Sequence, residues 1–141
     1  MIRRSAMAFS LMLLAGGTAL AATAPAARQS ILDHYAAEAR KTDAGFKGFS
    51  AAAGQAFFLA HPGTGRPETP SCSTCHTNSP RNQGRTRAGK TLAPMAVSLS
   101  PSRFTDLAKV RKWFARNCHT VYGRVCTPVE KGNFITFMAH Q

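Results

Sequence analysis

The chain has 141 residues, with 18 Lys and Arg against 6 Asp and Glu, a formal net charge of +12, four cysteines, one Trp and two Tyr. That length suits one domain with a modest core and excludes a large multidomain assembly. The basic surplus excludes an acidic, self-repelling disordered chain, and beyond the first 21 residues nothing is apolar enough to span a bilayer.

Arg3 and Arg4 open the chain, and an apolar run follows from Ala6 to about Leu20. Ala19-Leu20-Ala21 then supplies a small-x-small cleavage pattern, so residues 1–21 read as a secretory signal peptide. The alternative is an uncleaved membrane anchor, but the run of about 15 apolar residues falls short of the ~20 that span a membrane. Removal of residues 1–21 leaves residues 22–141 as the mature domain, 141 − 21 = 120 residues, with a charge of 12 − 2 = +10 once Arg3 and Arg4 are gone. Export implies an oxidising environment.

Residues 22–30 are Ala-rich and are expected to form a mobile leader. From Ser30 to about Lys41, Ile31, Leu32, Tyr35 and Ala39 recur at helical spacing, with Ser30 as the cap and Asp33 in the first turn. A second helix is expected from about Ser50 to Ala60, carrying Gly54, Phe57 and Phe58. Pro62, Gly63, Gly65, Pro67 and Pro70 mark a loop. Residues 77–103 are basic and rich in turn formers. A third helix is expected from Thr105 or Asp106 to about Asn117, with Leu107, Val110, Trp113 and Phe114 as its apolar positions. The last helix is the best marked: Thr127 caps it, Pro128 takes the first position and Glu130 completes a capping box, ahead of Phe134, Ile135, Phe137 and Met138. No segment shows sustained period-two alternation, so the fold class is all-α, about four helices with long loops wrapped around something.

Cys72-Ser73-Thr74-Cys75-His76 is C-x-x-C-H, the attachment sequence of a c-type haem. Two thiols at this spacing reach the two vinyl groups of one porphyrin, and the adjacent histidine ligates iron from the proximal side. A thioredoxin-like dithiol needs a βαβ context that the sequence lacks. A zinc site would have to recruit Cys118 and Cys126, whose seven intervening residues do not match structural zinc spacing. A disulfide through Cys72 or Cys75 is the remaining alternative. With one covalent haem on Cys72 and Cys75, only Cys118 and Cys126 are left to pair in an oxidising compartment. That bridge closes a nine-residue ring, for which loop entropy gives about 2.6 kcal/mol. A large flat cofactor also suits a chain so poor in long aliphatic runs.

The sixth position of the iron decides what such a protein does. The residues themselves offer Met95, His119, Asn117 and Met138. Met95 follows Pro94 in a loop; His119 is the stronger ligand, or else a surface histidine in a loop; Met138 reads better as core. His34, His61 and His140 read as ordinary exposed histidines. Chemistry alone divides the choice between Met95 and His119.

Several segments resemble one family. They are Thr69-Pro70-Ser71 with the C-x-x-C-H, Thr86-Arg87-Ala88-Gly89-Lys90, Ala93-Pro94-Met95-Ala96, Arg103-Phe104-Thr105-Asp106, Lys112 to Cys118, and Gly123-Arg124-Val125-Cys126-Thr127. In this order, across roughly residues 30–138, the chain is similar to the Sphaeroides haem protein (SHP) family of class I-like monohaem c-type cytochromes. The resemblance implies a class I cytochrome c fold, His76 as proximal and Asn117 as distal iron ligand, with Met95 and His119 as alternatives, and the Cys118–Cys126 disulfide behind the Asn. It also implies that the weak Asn ligand leaves on reduction and lets oxygen or nitric oxide bind. Trp113, four positions before Asn117, shares its helix face and is expected to line the haem pocket. Gly54 is expected to permit close helix approach. Arg85, Arg87 and Lys90 are candidates to neutralise the haem propionates.

The expected function is electron transfer by a periplasmic haem carrier that binds a diatomic gas when reduced. No general acid stands out to support turnover, so the chain is not expected to be an enzyme. A small reductase or oxidase acting on oxygen, nitric oxide or nitrite, or a gas sensor, is the alternative. Residues 81–131 hold eleven Lys and Arg against Asp106 and Glu130. Export argues against nucleic acid as the partner of that charge; a redox partner cytochrome, acidic or membrane-bound, fits better through electrostatic steering.

Overall fold

A computed structural model describes residues 22–141. The expected signal peptide, residues 1–21, lies outside the described residues. The first helix, α1 (Ala24–Thr42), starts six residues earlier than Ser30. Thr23 caps it, and Pro25 sits in its first turn, where its missing N–H costs nothing. The Ala-rich stretch expected to be mobile is therefore helical, for two reasons. Alanine is the best helix former, and Arg28 fixes the segment: it is buried and donates to the carbonyls of Pro101 (2.6 Å) and Arg103 (3.0 and 3.2 Å). Arg28, Ile31, Tyr35 and Ala39 form the buried stripe, at intervals of three and four.

Helix α2 (Ala51–Leu59) begins at Ser50, whose hydroxyl accepts from the Ala53 N–H. The C-x-x-C-H pentapeptide contains a single helical turn, α3 (Ser73–His76). Helix α4 (Leu107–Tyr122) is capped by Asp106 and continues well past Asn117, ending where Gly123 takes the left-handed conformation at φ 64°. The expected end at Asn117 was too early because the αL glycine, not the asparagine, is the stop signal. Asn117 and His119 are thus helical residues. Helix α5 (Pro128–Ala139) has the expected Thr127–Glu130 capping box and proline start. Two short strands, β1 (Gly84–Arg85) and β2 (Thr91–Leu92), pair antiparallel with Gly84 opposite Leu92. Two-residue strands are too short to leave an alternation pattern, which is why the sequence shows no sign of them.

The core forms where α5 packs on both α1 and α2. At the α2–α5 crossing a Cβ on Gly54 would overlap the Asn133 carbonyl, so the expected close approach is real. Phe134 of α5 sits among four aromatic rings from three other segments, Phe57 and Phe58 of α2, Phe104 ahead of α4 and Phe114 of α4, at centroid distances of 5.5–6.3 Å. A disulfide joins Cys118 of α4 to Cys126 ahead of α5, as expected. Among the described residues, five helices and one hairpin stand where about four helices were expected; the class is all-α in its weight.

Candidate haem-binding cleft

The C-x-x-C-H turn is held from behind. Ser71 is buried; its hydroxyl donates to the Phe58 carbonyl at the end of α2 (3.2 Å) and accepts from the Ser73 N–H. On the other side, Gly84 of β1 packs so closely on the Cys75 carbonyl that any side chain there would collide with it. Thr77, directly after His76, has φ 61°, and Phe104 across the cleft has φ 59°. Such positions cost roughly 1–3 kcal/mol each for a residue with a Cβ; Phe104 and His76, the neighbour of Thr77, line the same space.

That space is a cleft of about 1430 Å³, larger than the ~300–1,000 Å³ of ordinary small-molecule sites. Cys72, Cys75 and His76 line it together with Asn117, Trp113 and Met95. Phe57, Phe104, Phe114 and Phe134 give it apolar walls, and Arg66, Arg87, Lys90, Lys109 and Arg116 stand around it against Glu68 and Asp106. Burial pushes the Cys72 thiol up to about 11, with Cys75 adding to the effect. A redox dithiol needs the opposite shift. Burial, then the charge of Arg103, hold the His76 imidazole below its ordinary value, so at neutral pH it stands in the neutral form that ligates metal. The Cys118–Cys126 bond removes two of the four ligands a zinc site would have needed.

The candidates for the distal position separate by geometry. At about 100° per residue, Asn117 falls about 20° outside the stripe made by Val110, Phe114 and Val121, all buried, on the edge toward Trp113. Asn117 itself is exposed to the cleft. His119 lies about 160° around the helix from Asn117, exposed at the cleft edge. Met95 is tied to the His76 side: its N–H and that of Ala96 both donate to the Pro80 carbonyl (2.8 and 2.9 Å), four residues beyond His76. Met138 is fully buried in α5 and does not line the cleft. Trp113 lines the cleft as expected, half exposed, with the Arg116 guanidinium 5.7 Å from its ring. His34, His61 and His140 are away from the cleft. Of the basic residues singled out in the sequence, Arg87 and Lys90 line it and Arg85 does not. Arg103 and Tyr122 were not anticipated. Tyr122 stacks on Phe57 at 4.5 Å and donates to the Phe57 carbonyl (2.5 Å); its place one turn after Cys118 was readable had the helix been carried to Gly123.

Residues 44–138 match a family model described as a domain of unknown function (DUF1924). The chain is 44% identical over 128 residues to the cytochrome c-type protein SHP of Cereibacter sphaeroides, covering 91% of this chain and 92% of that one. It belongs to the SHP family of c-type cytochromes. The solved structure of oxidised SHP, described as an oxygen-binding cytochrome c, superposes with a TM-score of 0.74 at 42% identity, covering 81% of this chain and 96% of that chain. Cytochrome c'' of Methylophilus methylotrophus is 37% identical over 86 residues, 60% of each chain. Its oxidised crystal structure superposes with a TM-score of 0.70 at 28% identity, over 82% of this chain and 94% of that one. The class I-like cytochrome fold follows, and the cofactor of this SHP-family chain is one haem c. The cleft fits it: two thiols and an imidazole share one helical turn, the walls are aromatic, and the basic rim suits two carboxylates. The Thr69 hydroxyl, buried at the wall, has no hydrogen-bond partner among the described residues.

Proposed function

We propose that this protein is a periplasmic electron-transfer cytochrome whose single haem also binds oxygen or nitric oxide when reduced. Residues 1–21 direct export, and the Cys118–Cys126 bond is the kind of crosslink an oxidising compartment sustains. Cys72 and Cys75 carry the thioether bonds, His76 is the proximal ligand and Asn117 the distal one. When bound, the haem supplies an iron that changes valence and takes two axial ligands. Asn117 offers a neutral amide oxygen, a hard donor that favours ferric over ferrous iron. It therefore holds the distal position in the oxidised protein and releases it on reduction, leaving room for a diatomic gas. The carrying observation is the place of Asn117 at the edge of the buried stripe of α4, one turn from Trp113, lining the same cleft as His76. The likeness to an oxygen-binding cytochrome c supports the same reading.

The test is the visible spectrum of the holoprotein, oxidised, reduced, and reduced under carbon monoxide or nitric oxide. High-spin ferrous iron that takes up gas is expected. Six-coordinate, low-spin ferrous iron indifferent to gas would sink the Asn gate and point to a plain carrier. Steady consumption of oxygen or nitric oxide would point instead to an enzyme. Its electron partner is expected to be an acidic or membrane-bound cytochrome.

A further inference from the structure

Arg103 differs from every other basic residue at the cleft. It is half-buried while the five around it are exposed. Its Nε donates to the Pro94 carbonyl (2.6 Å) and its Nη2 to the Ala93 carbonyl (2.7 Å), so two of its three nitrogens are fixed on backbone and the third is uncommitted. Its own carbonyl is gripped by Arg28 of α1, itself buried. Neither arginine pairs with any of the six acidic residues of the chain, whose ion pairs involve other cations. Carbonyls orient a guanidinium without neutralising it. A desolvated cation with no counterion is costly, and a cleft that holds one is built for an anion. The cofactor assigned to this cleft carries two carboxylates and no other anionic group outside the ring.

We propose that Arg103 is the positioning cation of the cleft: its free guanidinium edge holds one carboxylate of the bound haem, and its charge raises the affinity of the iron for an electron. The claim rests on the haem reading above. The physics has one sign. Reduction adds one negative charge to the iron centre, and a nearby fixed cation favours that state. Low dielectric and rigid anchoring preserve the effect, whereas the exposed lysines and arginines of the rim are screened by solvent. Arg28 contributes a second, more distant positive charge and keeps the loop at 101–103 in place.

The experiment is a potentiometric titration of the holoprotein with one-electron mediators. Arg103→Gln is expected to shift the equilibrium at least about tenfold toward the oxidised form, about 59 mV for one electron. Arg103→Lys keeps the charge but cannot reproduce the two-carbonyl clamp, and is expected to retain most of the potential. A wild-type potential in Arg103→Gln overturns the proposal. Equal shifts in the Lys and Gln variants also overturn it, because a purely structural role predicts that both break the clamp. If Arg103→Gln yields no holoprotein, Arg28→Gln carries the test: a smaller shift of the same sign is expected, and no shift counts against the claim. Failure of the haem reading itself looks different, as wild-type protein without colour.

Discussion

Asn117 and His119 are two residues apart, yet α4 turns them to nearly opposite sides. Intrinsic ligand strength favours histidine; helix geometry favours the amide. Replacing the amide with imidazole at the cleft-facing position therefore separates the two effects. Asn117→His should keep iron six-coordinate and low-spin in both oxidation states, and its affinity for carbon monoxide should fall more than tenfold. Carbon monoxide titration of the reduced variant measures this directly. His119→Asn should leave the spectra and the titration as in the wild type. His76 is neutral at neutral pH for a related reason: burial, then the Arg103 charge, disfavour its protonated form.

At the scale of elements, two junctions hold the cleft open. The first is the α2–α5 crossing, where Gly54 meets the Asn133 carbonyl and Ser50 donates its N–H to the Asn133 side chain (2.8 Å). Overpacking there cannot be absorbed by a flexible side chain. Gly54→Val should cost about 3 kcal/mol, read from the urea midpoint of the holoprotein. The second junction is the start of α5. Arg124 donates to both oxygens of Glu130 (2.9 and 2.6 Å), and the Thr127 N–H donates to the same carboxylate (2.7 Å). Burial alone would raise the Glu130 pKa, but these hydrogen bonds together with the Arg124 charge outweigh it and leave it below its ordinary 4.5. A depressed carboxyl stabilises the fold fully above its unfolded value and loses that contribution as pH falls through the folded value. Glu130→Gln should thus be about 1 kcal/mol less stable than wild type at pH 7, and the difference should shrink at acid pH, below the ordinary carboxyl range. Denaturant melts at neutral and at acid pH give the comparison.

Across the whole molecule the charge is strongly one-sided, +12 for the full sequence, and basic residues outnumber acidic ones around the cleft. Long-range attraction of this kind acts on encounter more than on the docked complex. The electron-transfer rate with an acidic redox protein should therefore fall steeply as ionic strength rises from about 0.01 M to 0.15 M, while the screening length drops from about 30 Å to 8 Å. Stopped-flow rates against salt would show it, and a flat profile would remove steering from the account. Among the described residues, no helix is long and apolar enough to cross a membrane.

Short-range chemistry was legible in the chain itself. C-x-x-C-H needs only local spacing; the Thr127–Glu130 box needs only four residues; the Cys118–Cys126 pair followed from counting thiols. Each is decided by covalent reach or by one turn of backbone. What the chain could not show was set by contacts between distant segments. Arg28 meets a loop some 75 residues away, which is why an Ala-rich leader became helix and why Arg103 became the fixed cation of the cleft. The rotation of α4 is likewise set by the neighbours that bury Val110, Phe114 and Val121, and it puts Asn117 beside that stripe at the cleft and His119 about 160° around the helix from Asn117. Burial, clamping and facing are properties of packed neighbours, and neighbours far apart in sequence leave no periodic signal in it.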